Sequence, residues 1–159
     1  MRWSTAVAEL RRAGVGATIA LAMILTLTGC SGMNENAVSE RLTQASGING
    51  AMVEVQHPGA PWVNKIVIRL FVRDASAAAV ADDVRAVAAF AVDDRDLGGQ
   101  PLTLLAVQGS PGDFSDPLTA TITDSAYVMG SVSEILGAGK GVENILDLSA
   151  ADVSRIAQR

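Results

Sequence analysis

The order of periodic segments predicts an α+β fold, a two-layer sandwich with helices on one face of a mostly antiparallel sheet. Three observations carry this. Lys65 to Val72 alternates, with Ile66, Ile68, Leu70 and Val72 all aliphatic, the period-two signature of a strand with one side on a core. Directly after it, Ala77, Val80, Val84, Val87 and Ala91 recur at helical spacing. Glycine, proline and aspartate clusters then separate short strand-like runs from short helical ones.

Taken in order, Ala37 to Ala45 places Val38, Leu42 and Ala45 on one helical side and ends at Gly47. Ala51 to His57 alternates and reads as a strand, followed by a turn at Pro58-Gly59-Ala60-Pro61. Asp74 is a good N-cap for a helix from Ala75 to about Val92. A polar loop, Asp93 to Gln100, leads to a strand from Leu102 to Gln108. Gly109 to Pro117 reads as a hairpin-type connection to a strand from Leu118 to Thr123. Tyr127 to Leu136 is helical in spacing, and Gly137 to Gly141 breaks the chain. Val142 to Leu148 reads as a last strand, and Ser149 caps a terminal helix through Ala157. From Lys65 onward the order is strand–helix–strand–strand–helix–strand. That is the split βαβ order of ferredoxin-like folds, with the strand at 51–57 added by a hairpin as an extra N-terminal strand.

A faint internal echo accompanies this order. Val38-Ser39-Glu40-Arg41-Leu42 stands before Gly47-Ile48, and Val132-Ser133-Glu134-Ile135-Leu136 before Gly141-Val142, with nine residues from valine to glycine in both. The helix–Gly–aliphatic–strand pattern resembles that of the small envelope domains called BON domains, a resemblance that implies membrane-surface binding.

The first thirty residues are organised differently. Arg2, Arg11 and Arg12 precede an uncharged run from Ala13 to Leu27, and Thr28, Gly29 and Cys30 follow. A basic flank, a short apolar core and a small-residue exit describe a secretory signal. The fifteen-residue run is shorter than the roughly 20 residues of a spanning helix. Leu27-Thr28-Gly29-Cys30 resembles the lipobox of bacterial lipoprotein precursors. The resemblance implies that Leu27, Thr28 and Gly29 are recognised by the signal peptidase. It implies that Cys30 receives a diacylglyceryl group and becomes the first residue of the mature chain, on the outer face of the cell membrane. The expected organisation is a signal peptide over 1–29, a lipidated tether over 30–36 and one α+β domain over 37–159.

The whole chain has 12 basic and 17 acidic residues. Without the leader's three arginines and one glutamate, nine stand against sixteen, and such an acidic surface repels nucleic acid. Cys30 is the only cysteine, so no intrachain disulfide forms.

Motifs for chemistry are sparse. His57 is the only histidine and sits before a turn, where a polar surface role is the simplest reading. Asp93, Asp94 and Asp96 cluster in a loop, but Arg95 lies among them and the spacing of a calcium loop is missing. Gly137-Ala138-Gly139-Lys140-Gly141 lacks the Ser or Thr and the strand–helix context of a phosphate loop. No cofactor and no metal site is expected.

The candidate partner surface is the second sheet face, with Lys65, Arg69, Phe71 and Arg73 beside Glu54, Gln56, Val67 and the row Thr119, Thr121 and Thr123. Trp62 in the neighbouring turn is a candidate anchor. The expected function is that of a non-enzymatic binding module of the cell envelope, its partner an envelope protein, a lipid or a wall polymer. The alternative is a carrier or sensor of a small apolar ligand held between sheet and helices.

Overall fold

A computed structural model describes residues 32–60, 62–120 and 127–159. The leader, the lipobox and Cys30 lie outside the described residues, as do Thr121 and Thr123. The elements are α1 (Glu35–Ser46), β1 (Ala51–Gln56), β2 (Lys65–Val72), α2 (Ala77–Asp93), β3 (Leu102–Gln108), α3 (Met129–Leu136), β4 (Lys140–Val142), β5 (Ile145–Leu148) and α4 (Ala150–Ala157). Two 3-10 turns, Pro111–Asp113 and Pro117–Thr119, follow β3.

The α+β class holds: among the described residues, four helices accompany one mostly antiparallel five-stranded sheet of order β1-β2-β3-β5-β4. The hairpin of β1 with β2 is also as expected, with Val53 opposite Ile68. The crossover differs. β2 and β3 are direct parallel neighbours, Ile68 opposite Leu104, so no strand splits the βαβ unit. The expected strand at 118–123 would have supplied a splitting neighbour. Its first residues instead form the Pro117–Thr119 turn, started by Asp116, whose carboxylate accepts from the Leu118 N–H.

Other boundaries shift for local reasons. Asn34 caps α1 through its side-chain oxygen on the Ala37 N–H, so the helix begins at Glu35, and Met33 already packs against the core. The domain expected to begin at Ala37 therefore begins earlier in the chain. Ser76, not Asp74, caps α2; Asp74 accepts from the Ser76 N–H one turn earlier. The last strand is a hairpin: β4 and β5 turn at Glu143-Asn144, where Glu143 takes a left-handed φ of 52°. Ser149 caps α4 as expected, in a reciprocal box with Asp152.

The core lies between the helices and one face of the sheet. Ile66, Ile68, Leu70 and Val72 of β2 join Leu102, Leu104 and Ala106 of β3 against Val80, Val84, Val87 and Ala91 of α2. The alanines Ala81, Ala88 and Ala91 are fully or almost fully buried, which lets α2 approach its neighbours closely.

Two α-β-β-α units flank β3. In each, the first helix ends at a glycine in the left-handed region, Gly47 or Gly137, and opens onto an antiparallel hairpin followed by a helix. β2 runs parallel to β3 and β5 antiparallel to it. This is the relation that a twofold axis normal to the sheet would produce. The sequence echo catches the repetition one helical turn out of register, since it equates Gly47 with Gly141 and not with Gly137.

Both outer strands have their edges occupied. Along β1, the N–H groups of Ala51, Val53 and Val55 donate to Thr43 Oγ1 (3.1 Å), Ser39 Oγ (2.8 Å) and Glu35 Oε1 (2.7 Å) of α1. Every fourth residue of a helix advances about 6 Å and every second residue of a strand about 6.6 Å, so the two rows stay in step. At the other edge, the Met129 N–H at the start of α3 donates to the Glu143 carbonyl (3.0 Å). A Cβ on Gly141 of β4 would collide with the Met129 carbonyl.

Ser39→Ala is expected to leave the Val53 N–H without its acceptor and cost about 1–2 kcal/mol. Hydrogen exchange should accelerate at Val53 well before it does at Leu104. Gly141→Ala is expected to push α3 from the sheet edge and cost more than about 1 kcal/mol, read as a lower midpoint of thermal unfolding. An unchanged midpoint would contradict the close approach.

Candidate functional site

The residues expected to form one partner surface are not brought together. β2 runs from Lys65 to Val72, so Lys65 and Arg73 stand about 26 Å apart at the strand spacing. Phe71 is fully buried, its ring 5.8 Å from that of Phe114 at a tilt of 50°. The segment after β3 folds over that end of the second face: Phe114 lies on Phe71, and Pro111 closes on Gly50. Phe71 is thus part of a small second core, and alternation alone did not reveal its cover. Val67 and Val107 on the same face are also buried.

Arg69 is engaged too. Its guanidinium donates to Glu54 Oε2 at 2.6 Å with its side chain 13% exposed. That bond holds the Glu54 carboxyl below its ordinary pKa, against a smaller opposing effect of burial. Arg73 lies exposed beyond the strand end and donates to Asn49 Oδ1 at 2.7 Å. Lys65 is half exposed, with its amine 3.9 Å from Asp147. Trp62 stands out at 82% exposure.

The structure instead forms two hollows on either side of the start of β2. The first holds about 280 Å³ and is walled by the start of α1 (Met33, Glu35), the end of β1 (Val55, His57), Asn64 and Ile66, and the α2–β3 loop (Asp96, Gln100). His57 is exposed at its rim. The second, of about 320 Å³, lies between Asn64, Lys65, Pro101, Thr103, Asp147 and Ser149. Inside it the buried Thr103 hydroxyl donates to Asp147 at 2.6 Å. Both hollows open at the surface and mix carboxylate, amide and aliphatic groups.

The acidic loop after α2 has a partner that local spacing could not show. Arg41 of α1, 53 positions away, donates through Nε and Nη2 to Asp94 (3.0 and 2.8 Å) and through Nη2 to Asp96 (2.8 Å). Asp94 also accepts from the N–H groups of Asp96 and Leu97. Burial pushes the Asp94 carboxyl up, but the bonds from Arg41 and the two N–H groups outweigh it, and its pKa is lowered. The cluster is therefore a clamp between α1 and the α2–β3 loop. Among the described residues, no group of three or more His, Cys, Asp or Glu is arranged to hold a metal ion. No described helix is long and apolar enough to cross a membrane.

In the unfolded chain Asp94 takes up a proton near pH 4; in the fold it does so only at lower pH. Its contribution is full above the unfolded value and drains away as pH falls through the folded one. Glu54 acts in the same sense. Thermal midpoints are therefore expected to fall steeply below about pH 4. Asp94→Asn should flatten that fall and lower stability at neutral pH by about 1–3 kcal/mol. A variant with the parent's pH profile would show that the clamp contributes nothing.

Compared with known proteins, the chain matches no family model, no curated protein and no solved structure.

Proposed function

We propose that this chain is a lipid-anchored module of a bacterial cell envelope that works by binding and not by catalysis. The observation that carries the reading is Leu27-Thr28-Gly29-Cys30, placed after a basic flank and an uncharged run, with Cys30 the only thiol of the chain. Mature chains of this kind hold more than one acyl chain. Each buried methylene adds about 0.8 kcal/mol, so two chains give a stable attachment where one gives a marginal one.

The carboxylates of the domain support the non-catalytic part. Those with lowered pKa values are taken up by structural partners: Asp94 by Arg41, Glu54 by Arg69, Asp113 by Ser110 and Asp152 by Ser149. One carboxyl is shifted upward, Asp83, through burial and the neighbouring charge of Asp82; it lies on α2 at a shallow hollow with Arg73 and Asp74. The occupied edges of β1 and β4 also leave little room for a partner strand to add to the sheet. A partner is better served by the side chains around the two hollows at the start of β2.

The test is chemical. In cells labelled with radioactive palmitate, the wild-type chain is expected to carry label, to partition into detergent and to begin at a modified Cys30 by mass spectrometry. Cys30→Ala should lose the label and keep its leader. An unmodified Cys30 in the mature wild-type protein would overturn the reading.

A further inference from the structure

We infer that the β1–β2 loop, through Trp62 and Val63, sits in the interfacial layer of the bilayer that holds the anchor. The inference rests on the reading of Cys30 as acylated. Its own evidence is the exposure of this loop and its distance along the chain from the anchor.

Trp62 is 82% exposed and Val63 44%. The Val63 N–H donates to the Ala60 carbonyl at 2.9 Å, so Trp62 rides on a closed turn. A tryptophan held out in this way gains stability at a membrane interface, where its ring meets the acyl boundary and its N–H stays wet.

The anchor decides which pole faces the lipid. Met33 packs against the core, and it is three residues from Cys30. Three extended peptide units reach at most about 11 Å, and a headgroup layer is about 5–8 Å thick. The pole carrying Met33 therefore cannot stand far from the bilayer. Met33 and Asn64 wall the same hollow, and Trp62 is two residues from Asn64, at most about 7 Å of chain. The exposed tryptophan thus lies close to the end of the domain at which its described chain begins. Apolar contact, and not charge, is the attraction, because sixteen acidic residues face nine basic ones after removal of the leader and repel anionic headgroups.

The sequence makes the test direct. Its two tryptophans are Trp3 and Trp62, and cleavage before Cys30 leaves Trp62 as the sole tryptophan, read by exciting to the red of the absorption of Tyr127. The acylated mature chain is reconstituted in phosphatidylcholine vesicles, its attachment checked by flotation and by the mass of Cys30. Lipid brominated near the head of its acyl chains is expected to quench the emission strongly, as for an interfacial tryptophan. Iodide in the water should quench weakly, and high salt should change neither result. Val63→Asp, at an exposed position, should restore the emission while flotation persists. Floating protein with emission untouched by bromolipid and freely quenched by iodide would overturn the inference and leave the anchor standing. Protein that fails to float, with an unmodified Cys30, would overturn both.

Discussion

The fold depends on how its two sheet edges are closed. A five-stranded open sheet leaves two rows of backbone groups without strand partners, and unpaired edges invite association with other chains. At β1 the solution is a side-chain row: Glu35, Ser39 and Thr43 accept from the N–H groups of Val55, Val53 and Ala51. The match works because four helical residues and two strand residues cover nearly the same distance. It fixes the direction of α1 as antiparallel to β1. It also fixes which helical side faces the edge, so that Val38 and Leu42 reach the core. At β4 the equivalent helix does the work with its backbone, and Gly141 is the residue that permits the approach.

The rest of the architecture follows from that arrangement. Two α-β-β-α units each bring a hairpin and an edge helix, and β3 joins them. Arg41 projects from the same helix that closes β1 and seizes the Asp94–Asp96 loop. One helix therefore holds both a sheet edge and the connection into the central strand. The two hollows at the start of β2 lie where these pieces meet, because loop backbone there leaves room that the packed middle of the sheet does not.

Function in the proposed reading comes from position more than from chemistry. The carboxylates with lowered pKa values serve as caps and ion pairs. The large exposed aromatic of the β1–β2 loop, Trp62, is a group whose natural setting is an interface. An acidic body on a short tether would otherwise be held off a charged membrane, and an apolar turn offers a contact that charge does not oppose.

Much of the local structure was legible in the residues. The alternation of Ile66, Ile68, Leu70 and Val72 identifies β2 and its core face. The stripe of Val80, Val84 and Val87 identifies α2, and Ser149 marks the start of α4. These signals are local, because period and capping involve residues a few positions apart. The candidate surface was legible only in part. Phe71 alternates with the core residues as an exposed residue would, and only the return of Phe114, 43 positions later, buries it. The partner of Asp94 likewise lies 53 positions away.

Neighbouring residues specify most of the helices and strands and the α+β class, because period and capping are local properties of the chain. Only the folded chain brings β2 and β3 together as direct neighbours, closes a sheet edge with Glu35, Ser39 and Thr43, and sets Met33 and Asn64 around one hollow. Those outcomes depend on which distant segments share space, and contacts of that kind leave no periodicity in the chain that makes them.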